Sequence, residues 1–455
     1  MGEVAEKNYT DILVNTLYTM ANREIPAEVM DMARKCLLDG MGSMIGGTNW
    51  MHERIHRYLD LQPEVKKGAT VVNMGREASL QNAALANAMA LHVFDIDDGH
   101  RFSTVHLAAT TVPAVMAVCE YYNLGMEDLL RGIIIGYEVG IRMGNCLQPA
   151  HRARGYHSTG TVGTLGAAMG VAAALKFTKE EFKAALSAAA TSAAGLNEMM
   201  ENVSTLKPFN PARACHDGIT AALIAKAGFV GPYDSISGTF SFFRAMAETV
   251  KPEVLDINVD DSWNIMGGYH KPYAACRHTH AGIDGAFGVI KKYGVKAEDV
   301  DHVLVRMYGQ GVKGHNYTDI PTPTAGKMST PFCVGLAFTK GTCGIGAFNE
   351  ENVADPEVQR ICKATEVVPD EEFTSWVPKK RAANVTVFTK DGKSYSEQVD
   401  YAKGEPEFPM TLEDFKVKFF ELAQYGGKTQ AEAEKIADTI MTANGPVSEL
   451  IDLLK

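Results

Sequence analysis

The chain has 455 residues, 46% of them hydrophobic and 22% charged. That is the composition of a folded globular protein, not of a disordered, collagenous or low-complexity one. Its formal net charge is −11, from 44 Lys+Arg against 55 Asp+Glu, which speaks against general nucleic-acid binding but leaves room for a small anion held by a few local cations. The eight cysteines (Cys36, Cys119, Cys146, Cys215, Cys276, Cys333, Cys343 and Cys362) form no CxxC pair, so neither a zinc knuckle nor a disulfide scaffold is expected. Residues Met1–Lys7 carry no apolar signal core, and no run of about 18 apolar residues suggests a membrane span. A cytoplasmic location, with no membrane or nucleic-acid partner, is the expectation.

From the N-terminus the pattern is helical. In Ala27–Ile45, Met30, Ala33, Leu37, Leu38, Met41 and Ile45 recur at helical spacing. Ser79–His92, Val112–Tyr122, Met126–Asn145, Thr159–Lys176, Lys179–Ala194 and Ala212–Ala227 continue the pattern. Gly163, Gly166 and Gly170 form a small-residue face suited to close helix packing. Asn210-Pro211 reads as an N-cap followed by a first-turn proline. Near residue 265 the character changes. Asp301–Tyr308 alternates like a strand, Thr330–Lys340 reads as a helix, and Asn384–Tyr401 reads as a hairpin turning at Asp391-Gly392. Thr411–Leu454 is helical again. The expected fold is mostly α with an α+β second domain: a large all-helical domain from residues 1–267 and 406–455, and a smaller α/β domain from 268–405.

Four segments could carry chemistry. Leu91–His106 gathers Asp95, Asp97 and Asp98 with His92, His100 and His106. Such crowding suits acid/base work or metal binding, and equally a helix-ending turn. In Gly155–Gly166, His157 precedes a Ser/Thr/Gly-rich helix start, where an anion can bind, or where Ser158 or Thr159 merely caps the helix. Lys207 lies in the loop before the Ala212 helix, as an anion ligand or as plain solvated surface. His270–Asp284 crowds Lys271, Cys276, Arg277, His278 and His280 at a helix entry. That suits an anion site or a junction loop, and nearby cations would make Cys276 more nucleophilic if a base adjoined it.

The blocks CLLDGMGSMIGG, ALHVFDIDDGH with His106 after it, GYHSTGTVGTLGAA, TLKPFNPARACHDG, HKPYAACRHTHAGID and KMSTPFCVGLAF, taken together and in this order, resemble the MmgE/PrpD family. The resemblance covers residues 10–400 or so. It implies a helical domain with an α/β lid, a homodimer, a basic cleft between the domains, and action on a small polycarboxylate with neither metal nor organic cofactor. By the same resemblance Asp95 opens the family's Asp-Phe-Asp-Asp block, with one extra residue before His106. His157, Lys207 and Lys271 match the family's histidine and two lysines. Where the family's decarboxylase has a histidine five positions after the last lysine, this chain has Cys276, followed by Arg277 and His278. Here it is similar to the bacterial branch that includes an epimerase.

The implied chemistry removes a proton beside a carboxylate. Lys207, Lys271 and Arg277 would stabilise the enediolate, and His106 or His157 would be the base. The other histidine or Tyr156 would be the acid, and Asp95 would orient a histidine through its ring N–H. Ser158, Cys276 and His278 complete the expected binding set. Dehydration of the 2-methylcitrate dehydratase type leads; epimerisation and decarboxylation are the alternatives, and an anion-binding dimer of the same fold is the non-enzymatic one.

Overall fold

The computed structural model describes residues 7–200, 204–256 and 263–455; most of the leader expectation, residues 1–6, lies outside them. The chain forms two compact units, one from residues up to Gly268 together with Leu422–Lys455, the other from Tyr269–Glu421.

The first unit is built on helices α1 (Tyr9–Asn22), α2 (Ala27–Asp60), α3 (Leu80–His92), α4 (Leu107–Tyr121), α5 (Met126–Leu147), α6 (Ser158–Ala174), α7 (Lys179–Ser192) and α8 (Phe209–Lys226). A short antiparallel ribbon, β1 (Ala69–Val71) with β2 (Arg76–Ala78), joins α2 to α3. α2 runs 15 residues past the predicted Ile45, because Met51, Ile55 and Leu59 keep a buried stripe going. Every residue of α6 is buried, as is α4 from Leu107 to Cys119. A helix that is apolar all round belongs at the centre of the core.

The glycine face of α6 serves close packing, as its composition suggested. A Cβ on Gly166 would lie 3.0 Å from the Gly136 carbonyl oxygen of α5, and one on Gly170 would lie 2.7 Å from that of Gly132 and 2.9 Å from Val115 of α4. The two backbones therefore meet with nothing between them.

The predicted N-cap at Asn210 is corrected. α8 opens at Phe209 with Pro208 in the N-cap place and no side-chain cap. Pro211 still falls in the first turn, where its missing N–H leaves no helical bond unmade. Asn210 is thereby inside the helix, and its amide is free for another partner.

The second unit carries a four-stranded sheet in the order β4-β3-β5-β6. Its strands are β3 (Val300–Met307), β4 (Thr365–Pro369), β5 (Ala383–Thr389) and β6 (Ser394–Val399). β3 pairs in parallel with β4 and antiparallel with β5, and β5–β6 is the predicted hairpin, with Gly392 at φ +83°. The helix His280–Tyr293 lies on β5, where a Cβ on Gly285 would meet Val385 at 2.4 Å. This unit runs to Glu421, not to 405, because Asp414 pairs with Lys403 and Phe415 packs edge-on against His270. Among the described residues no helix is long and apolar enough to cross a membrane.

Gly170→Ala places a methyl group in the contact of α6 with α4 and α5. It is expected to cost about 1–3 kcal/mol, read as a lower midpoint in urea unfolding.

Candidate active site

Two histidines hold the same place on the two central helices. His106 is the N-cap residue of α4 (φ −94°, ψ 102°) and His157 that of α6 (φ −94°, ψ 108°). Neither caps with its side chain. The His106 N–H donates to Thr159 Oγ1 at 3.2 Å, which ties the two helix starts together. Asp98 takes the capping role on α4, its Oδ1 accepting from the Ala108 N–H at 2.9 Å.

His106 Nδ1 donates to the Asp98 carbonyl oxygen at 2.8 Å, with Asp97 Oδ2 at 3.4 Å. Its Nε2 edge faces Asp95 Oδ1 at 3.8 Å. That same oxygen accepts from Lys207 Nζ at 2.9 Å. Asp95 is therefore not the residue that orients a histidine by its ring N–H. The Asp98 carbonyl and Asp97 do that, and Asp95 instead places the Lys207 ammonium. Asp95 sits at φ +54°, in the left-handed region that aspartate tolerates better than most residues.

Behind His106 lies a buried pair that sequence reasoning did not single out. His92 Nδ1 donates to Asp97 Oδ2 at 2.9 Å, both side chains being fully buried. The His92 and His106 rings meet edge to face at 4.7 Å. Burial lowers the His92 pKa to about 4 in spite of its aspartate. Burial alone would raise Asp97, but the His92 and His106 rings and their hydrogen bonds hold it well below the usual carboxylate range. His100 takes no part in this pair; its Nδ1 bonds Ser103 Oγ at 2.9 Å.

His157 is buried, and its Nδ1 accepts from Asn210 Nδ2 at 2.9 Å. Burial, then the His92, Lys207 and His106 charges, keep its pKa well below that of free histidine. Two expected binding residues have contacts within the fold. The Ser158 hydroxyl accepts from Gln148 Nε2 at 2.6 Å and contacts Thr104 Oγ1 at 3.1 Å. The Tyr156 ring stacks on His151, with centroids 5.0 Å apart.

His92, Asp95, Asp97 and His106 each offer a ligand atom within 4.8 Å of one another. One of the four, Asp95, is already bonded to the Lys207 ammonium.

In the second unit Lys271 is buried. Arg277 is corrected as an anion ligand. Its Nε and Nη2 both donate to Glu405 Oε1, at 3.2 and 2.7 Å, and its Nη1 donates to His280 Nδ1 at 2.9 Å. Its charge is thus spoken for inside the fold. Cys276 has the neighbour that sequence could not supply: its Sγ lies 3.2 Å from His315 Nε2, while His315 Nδ1 donates to the Lys313 carbonyl at 3.0 Å. His278 Nδ1 bonds the Tyr308 hydroxyl.

Between the ordinary histidine value of 6.5 and the folded value near 4, the unfolded chain binds a proton that folded His92 refuses. Stability therefore falls as pH drops through that window, by about 3 kcal/mol for a group shifted this far. His157 acts in the same direction, and the depressed Asp97 adds a further loss once pH falls below the ordinary carboxylate range. Denaturant unfolding from pH 7 to 4 is expected to show this slope, and His92→Asn to flatten it.

Residues 12–255 match the model of the MmgE/PrpD N-terminal domain, and residues 273–442 that of the C-terminal domain. The chain is 24% identical to a cis-aconitate decarboxylase-like protein, oryM, of Aspergillus oryzae, over 99% of this chain and 98% of the relative. It is 22% identical to the cis-aconitate decarboxylase of Aspergillus terreus, covering 99% and 96%. The human cis-aconitate decarboxylase is 22% identical, covering 91% and 87%.

Proposed function

Because the chain belongs to the MmgE/PrpD family, whose relatives here are enzymes, we propose that it is a lyase of the 2-methylcitrate dehydratase type. It removes a proton beside a carboxylate of a small polycarboxylate and eliminates water, without a metal or organic cofactor. The observation that carries this reading is the group formed by His106 Nε2, Asp95 and Lys207: an imidazole edge and an ammonium share one carboxylate oxygen, at 3.8 and 2.9 Å.

A C–H beside a carboxylate is a weak acid, and its conjugate base is a dianion. Lowering that barrier takes a base near neutral pKa and a fixed positive charge where the dianion forms. A site histidine is the base. Lys207 is the charge, held ready by Asp95 and shared with the substrate carboxylate when it arrives. The starts of α4 and α6 add their positive dipole ends in the same place. The electron pair left by the proton then expels a β-hydroxyl as water. Decarboxylation is the second reading, favoured by the names of the relatives; the same cation pocket would receive the charge left by departing CO₂. Lys271 stays in the proposed site on the resemblance alone, and the homodimer likewise; light scattering tests the latter.

Proton NMR in D₂O against 2-methylcitrate, citrate, cis-aconitate and a chiral amino-dicarboxylate tests the reaction. A new vinyl signal from a hydroxy acid is the expected result. Deuterium at the α-carbon without elimination would replace the lyase by an epimerase, and loss of CO₂ from cis-aconitate would make it a decarboxylase. Activity is expected to survive EDTA. Lys207→Ala is expected to lower kcat/KM by about 10²-fold or more with little change in melting temperature; Lys271→Ala tests the second lysine in the same assay.

A further inference from the structure

We propose that Asn210 is a positioning residue that fixes His157 as a permanent hydrogen-bond donor, leaving His106 as the one histidine of the pair that exchanges a proton. The division of labour rests on the proton-abstraction reading above; the tautomers themselves do not.

The argument starts from an acceptor that has no choice. Asn210 Nδ2 lies 3.1 Å from the Leu196 carbonyl oxygen. A carbonyl only accepts, so this contact orients the amide with its NH₂ on that side. The second N–H then points at His157 Nδ1, 2.9 Å away. A nitrogen that accepts is bare, so the neutral ring carries its proton on Nε2. A second proton on Nδ1 would set N–H against N–H, in a buried ring whose neighbours His92, Lys207 and His106 are cationic or can become so. His157 therefore neither takes up a proton nor lacks one; it offers an Nε2–H.

His106 is wired the opposite way. Its Nδ1 faces two acceptors, the Asp98 carbonyl and Asp97 Oδ2, so the proton there is fixed and Nε2 is the edge that gains and loses one. The Asp97 carboxylate stands ready to stabilise the imidazolium. The balance follows. The C–H bond breaks, its proton goes to His106 Nε2 and its electrons go to the enediolate. The His157 N–H and the Lys207 ammonium meet the developing charge. The C–O bond then breaks, the leaving oxygen takes the proton from His106, and water departs with the histidine reset. Asn210 also holds the turn that carries Lys207, its own N–H donating to the Lys207 carbonyl at 3.3 Å.

Long-range proton–nitrogen correlation spectra of the full chain, with ¹⁵N-labelled histidine, test the tautomers without needing a substrate. The His157 and His106 signals are assigned by their loss in His157→Gln and His106→Gln. The expected result is a protonated Nε2 and bare Nδ1 on His157, and a protonated Nδ1 on His106. Asn210→Asp replaces the donor by an acceptor and is expected to move the His157 proton to Nδ1. With the substrate found by NMR, the same variant should lose about 10²-fold in kcat while KM changes little. Asn210→Ala keeps the test readable should the aspartate variant fail to fold; it is expected to leave His157 as a mixture of tautomers. A protonated Nδ1 on His157 in the unaltered protein, or an unchanged spectrum in both Asn210 variants, would overturn the proposal. So would α-proton exchange that persists in His106→Gln. If the tautomers are as stated and no polycarboxylate on the panel reacts, the lyase reading falls while the role of Asn210 in fixing His157 stands.

Discussion

The close approach of α6 (Ser158–Ala174) to α4 and α5 is the constraint on which the rest depends. At Gly132, Gly136, Gly166 and Gly170 α5 and α6 touch backbone to backbone, and α4 meets the glycines through the β-branched side chains of Thr111 and Val115, so close contact sets how the three helices pack. α6 is buried along its length and α4 from Leu107 to Cys119, and both begin with a histidine in the N-cap place. The packing that makes the core thus also fixes where two imidazoles stand. An N-cap residue is outside the helix in its backbone angles, and neither histidine turns its side chain back to cap the first turn, so both rings bond elsewhere. That lets a buried helix end in a polar site.

The electrostatics are layered behind these histidines. His92 and Asp97 are buried together; the bonds from the His92 and His106 rings hold the carboxylate charged, while burial, against the pull of that carboxylate, keeps the His92 imidazole neutral. A buried pair of this kind is weak evidence for stability, since desolvation offsets most of what its bond contributes. Its place next to the His106 ring gives it a reason of another sort: with the Asp98 carbonyl, the Asp97 carboxylate fixes the orientation of that ring from its Nδ1 side. In front, Asp95 and Lys207 share a bond that is partly exposed to solvent. The deep pair is sealed from solvent and the shallow pair is not.

The second unit shows how local charge density misleads when read from spacing alone. Lys271, Arg277, His278 and His280 lie within ten positions of one another, yet Arg277 and His280 serve the fold. The guanidinium is held by Glu405, more than a hundred residues further along the chain, and it neutralises a carboxylate that is itself buried. His280 donates to the Ala275 carbonyl and accepts from Arg277. Cys276 and His315 are likewise far apart in sequence and adjacent in space. Each of these pairings depends on a partner that no local pattern announces.

The helical domain, the α/β unit, the hairpin at Asp391-Gly392 and the packing role of the α6 glycines were legible in the sequence, because each is written in periodicity, small-residue spacing or turn chemistry at short range. The segments bearing Asp95, His106, His157 and Lys207 stood out by titratable groups at helix ends and in loops, a pattern that a plain turn or a solvated loop shares. What the sequence could not decide was the wiring. It placed Asn210 as a cap, Asp95 as the orienter of a histidine, Arg277 as a free cation and the domain return at 406. The tertiary structure turned the Asn210 amide toward His157, gave the orienting task to Asp97 and the Asp98 carbonyl, closed Arg277 on Glu405, and kept 406–421 with the second unit. Hydrogen-bond partners across long sequence separations follow from packing, and packing is a property of all the elements at once. Sequence by itself therefore determined the elements and which titratable residue types stand at their ends, and only the folded core decided which atom of each one faces which neighbour.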